Sequence, residues 1–466
     1  MRTSVPAEGQ AQAHAASRFY RAVWRWHFYA GLYVVPFLIM LSITGLMMLW
    51  FTTIAPEYGE RIAISPGAQS LPVTAQAKAA TAQWPNAAVG QYIAPYSAET
   101  PAIFRIDAAD GARMVAVNPY TGEIVQDRPQ AGTWNEFASH IHGELFWGKD
   151  GGPGDFLIEI AASLGILLII TGLYLWWPRA SARAFLPDLS LKGRALWKSL
   201  HSTAGFWLAI FLLFFLLSGL AWTGVWGGKY VQAWSTFPAE KWDNVPLSDA
   251  AHASLNPPNR QQVPWTLEQT LMPQSGSAAG LPGLPEGVPV NLDSLTALAH
   301  ALGFTGRFEL ALPADEKGVW TISRDSMSYD SANPTGDRTV HVDQYSGKIL
   351  ADVGYADYPL AGKAMAVGIA LHEGQMGWWN IIANFLFCAG VLLLCATGIV
   401  MWWLRRPKGE LAAPAYPRDF RMPFMAAIMA VILAIAFPLG GLAIAIFAVV
   451  DFLLPKRLKE AGFNSN

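Results

Sequence analysis

Only two of the 466 residues are cysteine, and only 14% are charged. Cys388 and Cys395 lie seven apart in one apolar block. On a helix rising 1.5 Å per residue they stand roughly 10 Å from each other, too far for a disulfide. So few thiols exclude a cysteine-ligated zinc or iron–sulfur site. A soluble domain carries about 25% charged residues, so the deficit excludes a disordered chain. The net charge of −2 offers nucleic acid no basic footprint.

What the chain has in abundance is apolar. Hydrophobic residues make up 53%, the mean hydropathy is +0.27, and the apolar residues come in blocks. Five blocks reach the length of about 20 residues that crosses a hydrocarbon core: 28–50, 156–177, 203–226, 378–403 and 423–454. Tryptophans 24, 26, 50, 176, 177, 226, 378, 402 and 403 stand at their ends, as an interfacial belt in a lipid bilayer requires. The first block is too long for the core of a signal peptide, and no small-residue cleavage site follows Trp50. The last block is interrupted by Pro438-Leu-Gly-Gly441. A kinked span and a re-entrant hairpin both fit it, and the basic pair Lys456-Arg457 faces outward if it spans once.

Charge sets the expected orientation. The N-terminal tail to Trp26 and the segments 178–202 and 404–422 hold 14 Lys/Arg against 4 Asp/Glu, whereas 51–155 and 227–377 hold 15 against 27. Short basic segments belong in the cytoplasm. The two long acidic segments are therefore expected outside, which in a bacterium means the periplasm, with the chain a multi-pass protein of the inner membrane and its N-terminus cytoplasmic.

The sequence repeats itself. Trp24-Arg-Trp-His27-Phe-Tyr-Ala-Gly31 opens the first span and Trp197-Lys-Ser-Leu-His201-Ser-Thr-Ala-Gly205 the third. Thr171-Gly-Leu-Tyr-Leu-Trp-Trp177 closes the second and Thr397-Gly-Ile-Val-Met-Trp-Trp403 the fourth. Between them Val117-Asn-Pro-Tyr-Thr-Gly-Glu-Ile-Val125 answers Val342-Asp-Gln-Tyr-Ser-Gly-Lys-Ile-Leu350. Each half reads as span, outside module, span. Each module has a helical pattern (73–83; 292–302), then alternating strands flanking an Asx-x-Tyr-Thr/Ser-Gly turn. The expected fold is thus membrane α-helical: a four-helix core from two repeats, two small α+β modules and a C-terminal hydrophobic segment. The boundaries run 1–50 (tail and span 1), 51–133 (module 1), 134–177 (edge helix and span 2), 178–202 (loop), 203–226 (span 3), 227–360 (module 2), 361–403 (edge segment and span 4), 404–422 (loop) and 423–466 (C-terminal segment). Module 2 carries an extra Pro-rich stretch near 230–290, expected as a surface excursion.

Four of the nine histidines fall at equivalent points of the repeat. His27 and His201 stand at the cytoplasmic entrances of spans one and three. His142, in Ser-His-Ile-His-Gly-Glu, and His372, in Leu-His-Glu-Gly, precede spans two and four on the outer side. Taken singly, each is an amphipathic residue at headgroup depth. A matched pair at each face argues for a ligand set, because polar groups near the bilayer core are costly and facing histidines hold cofactors inside bundles. Haem iron takes two imidazoles from opposite sides, while zinc asks for three or four ligands. No Cys-x-x-Cys-His occurs, so a haem here is non-covalent and b-type. His140 is a neighbouring alternative to His142. Gly31, Gly45, Gly172, Gly205, Gly219 and Gly398 leave room for a macrocycle or for close helix packing alike. Arg25 and Lys198 suit haem propionates and, equally, the positive-inside rule. His14, His252, His300 and His341 receive no role.

Arg25-Trp-His-Phe-Tyr-Ala-Gly31, the Asx-x-Tyr turns, Ile369-Ala-Leu-His-Glu-Gly374 and Val400-Met-Trp-Trp-Leu-Arg-Arg-Pro407 resemble the bacterial PepSY-associated transmembrane family, from about residue 18 to 455. That family includes iron-regulated inner-membrane proteins and ferric-siderophore reductases. The resemblance implies periplasmic PepSY modules and two b-type haems on bundle histidines, here His27, His142, His201 and His372. It implies a reductase that passes electrons across the membrane to a ferric siderophore or other ferric chelate. The basic segments are short and carry no Gly-x-Gly-x-x-Gly strand–helix context, so the expected donor is a membrane quinol or a separate reductase. The rival expectations are a peptide-binding or protease-regulating membrane protein and an iron-chelate uptake component.

Overall fold

A computed structural model describes residues 7–148, 151–177, 185–235, 237–242, 244–256, 262–406 and 422–453. In chain order it runs α1 (Ala7–Leu49), α2 (Val73–Thr81), β1 (Ala88–Ile93), β2 (Ala102–Ala108), β3 (Gly111–Val117), β4 (Ile124–Pro129), α3 (Trp134–Glu144), α4 (Pro153–Trp176) and α5 (Gly193–Leu220). There follow α6 (Gln232–Ser235), β5 (Leu247–Ala251), β6 (Leu271–Pro273), α7 (Leu292–Ala301), β7 (Glu309–Ala311), β8 (Val319–Arg324), β9 (Arg338–Asp343), β10 (Ile349–Gly354), α8 (Leu360–Glu373), α9 (Trp378–Arg405), α10 (Phe424–Ala436) and α11 (Pro438–Leu453). The chain divides into a helical unit, residues 1–44, 141–230 and 385–466, and a sheet unit, 45–140 and 231–384. Four helices are long and apolar enough to cross a membrane, within Arg18–Ile54, Pro153–Trp176, Gly193–Leu220 and Trp378–Arg405. The chain is a membrane protein of α-helices with an added sheet.

The helical unit packs through one apolar seam. Val34 and Leu38 of α1, Leu164 and Ile166 of α4, Leu212 and Leu216 of α5, and Val391 and Cys395 of α9 are buried together. A Cβ at Gly165 would stand 2.9 Å from Leu216 Cδ1, so a glycine is what lets α4 approach α5. The third span was expected to reach Trp226, but α5 stops at Leu220. The amides beyond the break are taken by carboxylates of α4: Gly224 donates to Asp155 Oδ2 at 2.8 Å, and Val225 and Trp226 to Glu159 Oε2 at 3.2 and 3.1 Å. Both acids are buried, and each turns a carboxyl oxygen to backbone donors that lipid cannot satisfy. The last apolar block is two helices. It breaks at Phe437–Pro438, since proline offers no amide to continue the ladder. Neither piece reaches about 20 residues, and Trp226 Nε1 donates to Ala436 O at the break, 2.8 Å away. Pro407 and the pair Lys456-Arg457 lie outside the described residues.

In the sheet unit, the two stretches expected as separate modules share one eight-stranded sheet, ordered β10-β9-β8-β7-β1-β2-β3-β4. The join is the antiparallel pair β1–β7, with Gln91 opposite Ala311 and Tyr92 opposite Leu310. Side chains alternate between faces along a strand. One face presents Tyr92, Phe104, Val115, Leu310, Ile322 and Val340 to a core that α2 and α7 complete. Asn291 caps α7, accepting from the amides of Asp293 and Ser294 while Ser294 Oγ accepts from Asn291 N. The Asx turns form as expected: Asn118 Oδ1 accepts from Tyr120 N, Asp343 Oδ1 from Tyr345 N and Ser346 N, and Gly122 and Gly347 take φ of +76° and +68°.

The Pro-rich stretch is not a surface excursion. Trp265 and Leu267 are among its fully buried side chains, and Phe237, Trp242 and Val263 pack with Ala351, Val353 and Tyr358. The apolar residues between its prolines give it a core of its own to enter. The shared sheet has a direct test. Gln91→Cys combined with Ala311→Cys should form a disulfide, because directly opposed antiparallel residues have the Cβ spacing it needs. Gln91→Cys with Thr321→Cys, on strands that are not neighbours, should not. Mapping the linked peptides decides the matter; no link at 91–311 would mean separate sheets.

Candidate functional site

His27 lies in α1 and His201 in α5, and the helical unit brings their rings together. The imidazole centroids are 6.5 Å apart with their planes at 85°. Each ring rests on a threonine of another helix. His27 Nδ1 is 2.9 Å from Thr171 Oγ1 of α4. His201 Nδ1 is 3.0 Å from Thr397 Oγ1 of α9 and 3.2 Å from Leu394 O. The glycine after each threonine makes room for the ring: a Cβ at Gly172 would lie 3.2 Å from His27 Cε1, and one at Gly398 3.5 Å from His201 Cε1. The Thr-Gly pairs that close the two matching spans are thus the floor under the two histidines.

This pair fits two ligands of one iron. Imidazoles bound from opposite sides at about 2.0–2.1 Å per metal–nitrogen bond hold their centroids roughly 6–6.5 Å apart. Each uses Nδ1 on its threonine, so Nε2 is the ring nitrogen that would face a metal. Trp176 Nε1 and Trp402 Nε1, at matching positions one to two turns beyond the threonines, are buried without a hydrogen-bond partner among the described residues. Indole N–H groups ordinarily find a partner when buried, so these two would suit a polar group placed between them and the histidines. Arg25 is buried, with its guanidinium 4.8 Å from the Tyr29 ring centroid.

His142, in α3, repeats the arrangement: its Nδ1 is 2.8 Å from Thr44 Oγ1. Burial lowers its pKa to about 4, so the ring is neutral at physiological pH. His140 lies elsewhere, its Nε2 3.6 Å from Glu136 Oε1. His372 closes α8 in the sheet unit. The helix end there is fixed by two buried asparagines of α9: Asn384 Nδ2 donates to His372 O at 2.8 Å, and Asn380 and Asn384 both donate to Leu371 O. Of the sequence candidates, then, His27 and His201 meet, and His142 shares their threonine contact where His140 faces a carboxylate.

A helical membrane core of this kind with an attached α+β sheet defines the class of protein. The model of the PepSY-associated TM region matches residues 24–405, and the chain belongs to that family. A comparison with curated proteins gives no significant match.

Sequence reasoning missed the threonines, and it missed a second histidine pair. His252 and His341 are both fully buried in the sheet unit, Nε2 to Nε2 at 2.8 Å. His252 Nδ1 donates to Thr270 O at 2.7 Å, and Thr321 Oγ1 lies 3.0 Å from His341 Nδ1. One order of protons satisfies every atom: hydroxyl to His341 Nδ1, His341 Nε2 to His252 Nε2, His252 Nδ1 to carbonyl. Both rings must be neutral, and burial lowers the pKa of His252 to about 4 and that of His341 well below its ordinary value. The unfolded chain protonates His252 near 6.5, the folded one only near 4. Stability is therefore lost as pH falls through that window, on the order of 3 kcal/mol for His252. Glutamine at 252 can still accept from His341 and donate to Thr270. Measured by thermal unfolding of the full chain, wild type should lose stability relative to His252→Gln between pH 7 and pH 4. The neighbouring carboxylates are common to both and cancel. A constant difference across the range would mean the pair is not held neutral.

Proposed function

We propose that the protein is a di-haem b-type reductase of the bacterial inner membrane that carries electrons outward to a ferric siderophore or other ferric chelate. The observation that carries this reading is the His27–His201 pair, spaced for one iron and seated on matching Thr-Gly dipeptides of two further helices. His27 and His201 hold one haem. His142, prepared by Thr44 in the same manner, and His372, its counterpart in the sequence repeat, are the ligands of the second. Bound haem supplies one-electron transfer, which iron(III) in a chelate accepts to become iron(II); hard oxygen donors then hold it less tightly. The electron comes from a membrane quinol or a separate reductase. The protein's part is to fix the imidazoles, to keep them neutral, and to exclude water from the seam of apolar side chains around them. Two span–module–span repeats with both modules in the periplasm complete the reading, supported by the charge count of the connecting segments.

Purified full-length protein should be red with a b-type spectrum. His27→Ala and His201→Ala should leave the same residual spectrum, and His142→Ala and His372→Ala a second one, each with roughly half the haem, since a bis-imidazole site fails when either ligand goes. A colourless wild type, or full haem in all four variants, would remove the reductase reading and leave a peptide-binding or regulatory membrane protein.

The orientation has its own check. Reporter fusions at the Gly122 and Gly347 turns should be active only as periplasmic reporters. Cytoplasmic activity at either would overturn the two-repeat arrangement.

A further inference from the structure

Three histidines of the bundle meet a threonine hydroxyl, and in all three the hydroxyl has already spent its only proton. Thr171 Oγ1 donates to Leu167 O at 2.7 Å, Thr44 Oγ1 to Met40 O at 2.8 Å and Thr397 Oγ1 to Leu394 O at 2.8 Å. A carbonyl only accepts, so contacts this short require the hydroxyl proton between the two oxygens. Toward the imidazole each threonine is then an acceptor, and Nδ1 carries the ring proton. His201 confirms the assignment by a second route, since Leu394 O, also only an acceptor, lies 3.2 Å from the same Nδ1. Ser218-Gly219 repeats the dipeptide on α5, with Ser218 Oγ donating to Phe214 O at 2.8 Å.

We infer that Thr44, Thr171 and Thr397 are positioning residues that lock their histidines in the Nδ1–H tautomer and make Nε2 a stronger donor toward a metal. The inference rests on the haem reading for its consequence and not for the tautomer itself. An acceptor on Nδ1–H pushes electron density toward Nε2, which favours iron(III) over iron(II) and lowers the reduction potential. It also fixes the ring plane, so that little order must be gained when a metal binds. The rings of His27 and His201 are matched in a further respect: each has a backbone carbonyl beside its threonine, Leu168 for His27 and Leu394 for His201, so losing the hydroxyl weakens the lock at either ring without leaving Nδ1–H unpaired.

The test uses the full-length protein in detergent with Thr171→Val, Thr171→Ser and Thr397→Val. Valine keeps the shape and removes the acceptor; serine restores it. Thr171→Val should weaken haem retention about 10- to 100-fold, the usual effect of losing such a partner, and raise the midpoint potential of that haem. Thr171→Ser should return both toward wild type, and Thr397→Val should shift them in the same direction as Thr171→Val. Unchanged retention and potential in Thr171→Val, or a serine variant that behaves as the valine one, would overturn the inference. Nitrogen NMR of histidine-labelled, haem-free protein separates this failure from failure of the haem reading. Nδ1-protonated rings at 27, 142 and 201 support the lock even in a colourless protein, and Nε2-protonated rings refute it even in a red one.

Discussion

A hydroxyl inside a bilayer has one proton and no water to give it to. The carbonyl one turn back is the acceptor within reach, and a threonine that donates there presents its remaining lone pairs outward from the helix. The site of the helical unit depends on this constraint. Once Thr171 and Thr397 are back-bonded, the imidazole opposite each can only donate. The glycine next in sequence lies on the adjoining strip of the helix, about 100° round, and with no Cβ it lets the ring come close to the backbone. One dipeptide thus supplies both the hydrogen bond that orients the ring and the space the ring occupies.

The sheet unit meets the same problem in its own packed interior. Its apolar face is closed by α2 and α7, but the other face of β7, β8 and β9 is polar and still buried: Glu309, Thr321, Thr339 and His341 are each less than 4% exposed. Chains of donors and acceptors keep that layer neutral where they can, as in the run from Thr321 through His341 and His252 to Thr270. Where carboxylates crowd, burial and the repulsion of neighbouring carboxylates raise the pKa of Asp325 and Asp330 well above the usual range, and burial alone raises Asp337 to about 7. Arg307 offsets part of that charge through Asp330 at 2.9 Å. Such a layer stores charge sensitivity in the sheet, while α2 and α7 carry its hydrophobic stability.

Much of this was legible in the residues. Four helices long enough to span, the Asx turns and the helices at 73 and 292 follow from periodicity and turn chemistry, which are local. The Thr-Gly pairs were visible too, as matching closures of two spans, but their purpose was not. Spacing along one helix reveals which residues share a face, and it does not reveal which side chain of another helix lies against that face; Thr171 and His27 are 144 positions apart. The same limit hid the His252–His341 pair, 89 positions apart, and the join of β1 to β7. Proline content misled outright at 230–290. A count of prolines describes backbone freedom, and burial there is decided by Trp242, Trp265 and Leu267. The break of the last apolar block was readable at Pro438, though only the stacking of Trp226 on Phe437, 6.0 Å apart at 17°, shows what the break is held against.

Four helices each lend one residue to the inner histidine pair: His27 from α1, Thr171 from α4, His201 from α5 and Thr397 from α9. Their mutual distances are therefore set by helix register. A slip of one residue turns a side chain by about 100° and moves it 1.5 Å along the axis, which is more than a hydrogen bond near 3 Å tolerates. The buried seam fixes that register. Cys395 is two residues from Thr397, Leu168 packs beside the seam within a turn of Thr171, and Val34 is two turns from His27 on the same helix. Interiors packed to this density resist sliding, so the same leucines and valines that hold the bundle together also hold the two imidazoles at one separation. The haem proposed above would need that rigidity, because it would exchange electrons without rearranging its ligands. The apolar core is, in this sense, as much a part of the site as the histidines.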